Sequence, residues 1–180
     1  ISCCHKIPPI TNPVNSYPEQ VAAQDSVIFI IVEALLNGEN IGATSSGTGF
    51  GVAYKDKNTV IMTAGHVCDA DSFGMPGIEI SLTVTTVTGE SIPVKSKTII
   101  DKKFDLCIFQ VEKILPIAKL ADYEPISGDS VKYAGYPAGV YIPGTLHYFD
   151  GYMGGIDIEG NHMYNIPTTG GASGSPIYNT

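Results

Sequence analysis

Basic residues are scarce in this chain of 180 residues. Ten Lys and Arg stand against eighteen Asp and Glu, a formal net charge of −8. Phosphate backbones are bound by clusters of Lys and Arg, so no nucleic-acid partner is expected. No run of like charge forms a tail. Long apolar runs are missing too. The longest extends only from Val27 to Val32, far short of a bilayer-crossing helix, so no transmembrane segment is expected. The four cysteines (Cys3, Cys4, Cys68, Cys107) form no CxxC pair and the four histidines are scattered, which argues against a zinc site. With no nucleotide-binding glycine fingerprint and no EF-hand loop, neither metal nor cofactor is expected. An initiator Met is also absent, which raises the expectation that residues precede Ile1. "ISC" then reads as the tail of a bacterial lipoprotein signal with Cys3 lipidated, or Ile1 is where a fragment begins.

What the chain does have is 43% hydrophobic residues, enough for a packed interior. Residues 1–25, rich in Pro, Asn and Ser, read as an extended arm. From Ser26 onward Val, Ile, Thr and Tyr recur in short runs. Strands are expected at about 27–34, 47–55, 59–63, 78–88, 91–100, 104–112, 130–136, 144–156, 162–166 and 175–179. "NGEN", "DKN", "TGE" and "ISGD" supply turns between them. Helical periodicity is almost absent, with at most a turn or two after "TAGHVCDA". The fold class is therefore all-β. Residues 113–129 look like a connection between a lobe at 26–112 and another at 130–180.

Three stretches carry chemistry. In "TVIMTAGHVCDA" a β-branched strand meets the small residues Ala64 and Gly65, then His66. The bland alternative is an ordinary histidine at a strand end. In "KKFDLCIFQV", Asp105 stands among apolar residues, where a carboxylate is costly to bury unless paired. The alternative is an edge-strand Asp facing water, and Asp69, Asp71 and Asp101 are rivals in turn-like contexts. In "PTTGGASGSPIYN" the glycines permit positive φ and close approach. Amides of Gly171, Ala172 and Ser173 could converge as an anion-binding nest, with Ser173 the nucleophile and Ser175 its rival. A plain Gly/Ser loop is the alternative. Taken together, a His, an Asp and a Gly-flanked Ser in this order match the Ser-His-Asp triad of chymotrypsin-type hydrolases. Cys68 and Cys107, each two residues from a triad member, are expected to be neighbours; whether they bridge is open. A Cys-dependent enzyme using either thiol is a weaker reading, since no His is placed as its base.

"TAGHV", "FDLCIF" and "GGASGSPI" resemble the three catalytic signatures of trypsin-like serine proteases. "MYNIPTTGGASGSPIYN" and "YAGYPAG" resemble the bacterial glutamyl endopeptidase branch. The resemblance covers about residues 26–180. It implies two antiparallel β-barrels with the active site between them, Ser173 as nucleophile, His66 as base and Asp105 as orienting acid. It further implies oxyanion-hole amides at Gly171 and Ser173, and a substrate-binding stretch of Thr168, Thr169 and Gly170. Nothing acidic stands at 167–170, which disfavours Lys or Arg specificity. Ala172 occupies the position where zymogen-activated relatives carry Asp, so that switch is not expected.

The implied activity is a secreted or extracytoplasmic serine endopeptidase acting on protein or peptide substrates. The family's second barrel continues well beyond its nucleophile, so the second barrel is expected to be incomplete here. Three explanations remain open: a truncated piece of a protease, a partner chain that completes the barrel, or a non-catalytic binding or structural module in a larger assembly.

Overall fold

The computed structural model describes residues 21–179. Position Cys3 and most of the arm expected over 1–25 lie outside the described residues. Eleven strands are present: β1 (Val27–Leu36), β2 (Glu39–Lys55), β3 (Asn58–Ala64), β4 (Ile78–Thr86), β5 (Ser91–Pro93), β6 (Ile99–Asp101), β7 (Leu106–Val111), β8 (Ser130–Gly135), β9 (His147–Ile156), β10 (His162–Asn165) and β11 (Ile177–Tyr178). They form a seven-stranded sheet in the order β5-β4-β1-β2-β3-β7-β6 and a four-stranded sheet in the order β10-β9-β8-β11. All the pairings are antiparallel. Short 3₁₀ turns interrupt the strands, two of them just after β3 at Gly65–Val67 and Ala70–Phe73, where a turn or two was expected.

Turn chemistry sets the register of the first sheet. Asn37 and Gly38 both have positive φ and close a two-residue hairpin between Leu36 and Glu39. Asp56 and Lys57 do the same between Lys55 and Asn58. Such turns match the right-handed twist of their flanking strands. The first hairpin carries β2 back to Glu39, eight residues before the expected start at 47. Residues 39–46 lack apolar alternation, so the ladder to β1, and not burial, makes them strand.

The expected single strand over 91–100 is two short ones. Val84 faces Ile92 where β5 pairs with β4, and Ile100 faces Cys107 where β6 pairs with β7. Between them Ser96 Oγ donates to Gln110 O (2.9 Å) and accepts from Gln110 N–H (2.8 Å). One segment thus changes partner from β4 to β7, bringing the two edges of the curled sheet together.

The apolar run Val27–Val32 is explained by burial on both faces of β1. Ile28, Ile30 and Val32 enter a core with Ile61, Leu82, Val84, Phe109 and Val111. Val27 and Phe29 point the other way, into a second core with Ala134 and Tyr136. Phe29 stacks on Tyr141 (5.3 Å between centroids) and meets Tyr136 edge-on (5.2 Å). One strand therefore ties the two sheets together.

Candidate active site

His66 follows β3 directly, inside the single turn Gly65–Val67. Gly65 is needed there. A Cβ on it would stand 2.9 Å from the backbone carbon of Asp105, and its N–H donates to Asp105 O at 2.7 Å. This approach sets the Asp105 carboxylate against His66. Oδ1 accepts the His66 backbone N–H (2.8 Å) and Oδ2 lies 2.8 Å from the ring Nδ1. An ionised carboxylate can only accept, so Nδ1 carries the proton, and in the neutral ring Nε2 then keeps its lone pair.

Asp105 differs from expectation in one respect. It is not embedded in a strand: β7 begins one residue later, and Asp105 has φ +47° in the preceding turn. Its side chain is 56% exposed and that of His66 54%. A turn leaves the carboxylate solvated, and Asp tolerates the left-handed region better than most residues. The rival aspartates are satisfied elsewhere. Asp69 and Asp71 both pair with Lys102 (2.8 and 2.9 Å), whose hydrogen bond holds the Asp69 carboxyl below the usual carboxylate range. Asp101 accepts the N–H groups of Lys103 and Phe104.

The Ser173 turn is held through its carbonyls. Ala138 N–H donates to Gly170 O (2.5 Å), Thr48 Oγ1 to Gly171 O (2.9 Å), Ser175 N–H to Ala172 O (3.0 Å) and Thr48 N–H to Ser173 O (2.8 Å). In a trans peptide the N–H points opposite to the C=O. Capturing the carbonyls of Gly170 and Ala172 therefore aims the amides of Gly171 and Ser173 away from Ala138 and Ser175. Neither amide makes a hydrogen bond among the described residues. The Ala172 amide is different: it closes the turn onto Thr169 O (3.2 Å). Of the three amides considered from the sequence, that of Ala172 is spent within the turn.

The turn is pressed against the His-bearing segment. At Gly174, φ is +84°, and a Cβ would stand 2.2 Å from Thr48 O and 2.9 Å from Ala64 N, two residues before His66. The structure brings His66 and Asp105 into direct contact and sets Gly174, next to Ser173, against Ala64, two residues before His66. No hydrogen bond joins Ser173 Oγ to the His66 ring. Ser175 is placed otherwise. Its Oγ is buried without a partner among the described residues, against Gly135.

Thr168, Thr169 and Gly170 are exposed. Thr168 lines a pocket of about 250 Å³ with Tyr133, Tyr164, Ile166, Ala172, Ser175 and Ile177, while Thr169 and Gly170 lie outside that lining. Tyr133 OH donates to Pro167 O (3.0 Å), and burial pushes its phenol above the usual range. Two residues of this region carried no recognisable sequence signal. Thr48, fully buried, also accepts Tyr136 N–H at Oγ1 (3.0 Å) and Thr63 Oγ1–H at its carbonyl (2.7 Å). Ala138 sits at φ +56° in the turn after β8.

Two antiparallel β-sheets packed across a shared strand, with a His–Asp pair beside a Gly-rich Ser turn, define a chymotrypsin-like fold. The family model for the trypsin-like peptidase domain matches residues 47–180, and the chain belongs to that family. Solved structures share the fold. The active form of the Rv3671c protease from M. tuberculosis aligns with TM-score 0.61 at 22% identity, covering 87% of this chain and 66% of that one. The serine endoprotease from Yersinia pestis aligns at 0.64 and 18%, over 88% and 50%. Deg5 aligns at 0.59 and 19%, over 87% and 75%. The chain thus spans less than two thirds of the first two. No curated protein sequence matches it.

Proposed function

We propose that this chain is the peptidase domain of a serine endopeptidase, with Ser173, His66 and Asp105 as its triad. The observation that carries the reading is the His66–Asp105 contact, 2.8 Å at Nδ1, which leaves Nε2 as a base. Ser173 Oγ attacks the scissile carbonyl carbon while Nε2 takes its proton. The oxyanion forms where the free amides of Gly171 and Ser173 point. Asp105 holds the ring's tautomer and stabilises the imidazolium. That imidazolium then protonates the leaving amine, and water, deprotonated by Nε2, hydrolyses the acyl-enzyme. Each oxyanion donor is worth about 10²–10³ in kcat.

The pocket beside Thr168 supports a preference for an uncharged, apolar residue before the scissile bond. Its lining has two tyrosines, two isoleucines and no charged side chain. A glutamyl preference, which the nucleophile segment implies by resemblance, would need a cationic reader. His162, packed edge-on to Tyr164 at 6.3 Å, is not part of the lining. The buried Cys68–Cys107 cystine supports folding in an oxidising, extracytoplasmic setting.

The test is labelling with a fluorophosphonate probe, followed by cleavage of peptides carrying Leu, Val, Glu or Lys before the scissile bond. Modification at Ser173 with fastest cleavage after Leu or Val is expected. Absence of labelling would favour the non-catalytic module.

A further inference from the structure

Cys68 and Cys107 are joined, with Cα atoms 6.3 Å apart and both side chains buried. Cys68 lies two residues after His66, and Cys107 two residues after Asp105. The bond therefore closes a small ring through residues 66–68 and 105–107. The His66–Asp105 contact forms the ring's other closure. On the near side, the β3–β7 ladder aligns the same two segments, with Thr63 opposite Cys107 and Ala64 opposite Leu106.

Beyond these, the Gly65 N–H bond to Asp105 O (2.7 Å) continues the ladder toward the pair, and the remaining contacts lie at the surface. His66 belongs to one 3₁₀ turn and Asp105 to the turn before β7. Both side chains are more than half exposed, so water competes for every hydrogen bond between them. Exposed ionic contacts of this kind sustain little order by themselves. Asp105 also holds a left-handed backbone conformation, which Asp tolerates better than most residues but which still costs more than an ordinary one. A ladder on one side and a covalent tie on the other help to offset that cost. The tie is short, so it keeps the local concentration of carboxylate at the ring high.

We propose that the Cys68–Cys107 cystine is a positioning element for the His66–Asp105 pair. Its use in catalysis rests on the peptidase reading; its effect on the pair does not. Burial makes it a permanent tie set during folding rather than a switch, because a thiolate must reach sulfur to exchange.

The proton on His66 Nδ1 reports the pair directly, as a far-downfield resonance in ¹⁵N-histidine-labelled protein, assigned by its loss in Asp105→Asn. Its exchange with water is compared in wild type, in Cys68→Ala/Cys107→Ala, and in Val111→Ala. Val111 is a fully buried residue at the far end of β7, so its truncation destabilises the same core without touching the ring. The cystine variant is expected to lose the resonance or exchange at least about tenfold faster, while Val111→Ala keeps it. Fluorophosphonate labelling of Ser173 should slow by roughly 10–100-fold in the cystine variant alone, as expected for misplacement on the ångström scale.

An unchanged resonance in the cystine variant, or equal loss in both, would overturn the proposal. Should the double alanine variant not fold, Cys68→Ala/Cys107→Val restores side-chain volume. If that variant also fails to fold, the cystine is a folding requirement and the positioning role is rejected. A wild-type protein that shows the resonance but resists labelling would count against the peptidase reading alone.

Discussion

Asp105 turns a solvent-exposed histidine into a candidate base, and it does so with both carboxylate oxygens. One accepts the His66 backbone N–H and the other faces Nδ1. Asp105→Asn keeps the shape but offers the ring an amide, which favours the wrong tautomer. A loss of about 10⁴ in kcat is expected with KM little changed, measured by steady-state cleavage of a fluorogenic peptide. Ser173→Ala should remove on the order of 10⁶ in kcat, since triad members act as a unit. Its thermal midpoint should stay close to wild type, because no hydrogen bond among the described residues runs through Oγ. An alanine variant with wild-type hydrolysis would exclude Ser173 as nucleophile. His66, Asp105 and Ser173 stood out in the sequence as candidates because each has a distinctive local setting. The strand expected to carry Asp105 nonetheless starts one residue later, and the water-facing alternative describes its side chain, because the backbone turns at that residue.

At the scale of elements, β2 does most to organise the site. Thr48, on this strand, bonds four groups: Gly171 O, Ser173 O, Tyr136 N–H and Thr63 Oγ1. Thr48→Val preserves shape and removes the hydroxyl, stranding the buried Tyr136 amide and Gly171 carbonyl. A loss of about 2–4 kcal/mol in urea unfolding is expected, and kcat should fall as the turn loosens. A loss below about 0.5 kcal/mol would show that water replaces the hydroxyl. Gly174→Ala is expected to cost at least about 2 kcal/mol, combining a positive φ with a clash against Thr48 O. None of this was legible beforehand. Alternation and turn residues reveal where strands run, but the residues Thr48 touches are remote in sequence, Gly171 lying 123 positions away and Ser173 two further on.

On the scale of the whole molecule the two sheets differ in how much they bury. β3 and β7 alternate cleanly between inside and outside, and β1 is nearly continuous in burial. In β9 and β10 Tyr148, Tyr152, Ile156 and Met163 are exposed, and Met153 is the one residue classed as buried. Local opening costs less where fewer apolar contacts are broken. Amides of β9 and β10 are therefore expected to exchange hydrogen faster than those of β1, β3 and β7. Equal, strong protection of both sheets would mean that the second sheet draws stability from contacts not described here. Removing the cystine should cost the whole chain about 4 kcal/mol through loop entropy, given its separation of 39 residues, as read from calorimetry or denaturant titration.

The sequence by itself determined the all-β class, most strand positions and the hairpin turns, and it marked His66, Asp105 and Ser173 as the candidates for chemistry. These depend on short-range physics: period-two burial, positive-φ turns and residue type. The tertiary structure decided everything that joins distant segments. It bonded Cys68 to Cys107, a pairing the sequence left open, by setting β3 beside β7. It divided the expected strand 91–100 between two partners. It turned two amides of the Ser173 loop away from the groups that hold its carbonyls and kept the third within the turn, through carbonyl contacts with Thr48, Ala138 and Ser175. The reason is that hydrogen-bond direction follows from which remote groups arrive nearby, and a linear pattern carries no information on that.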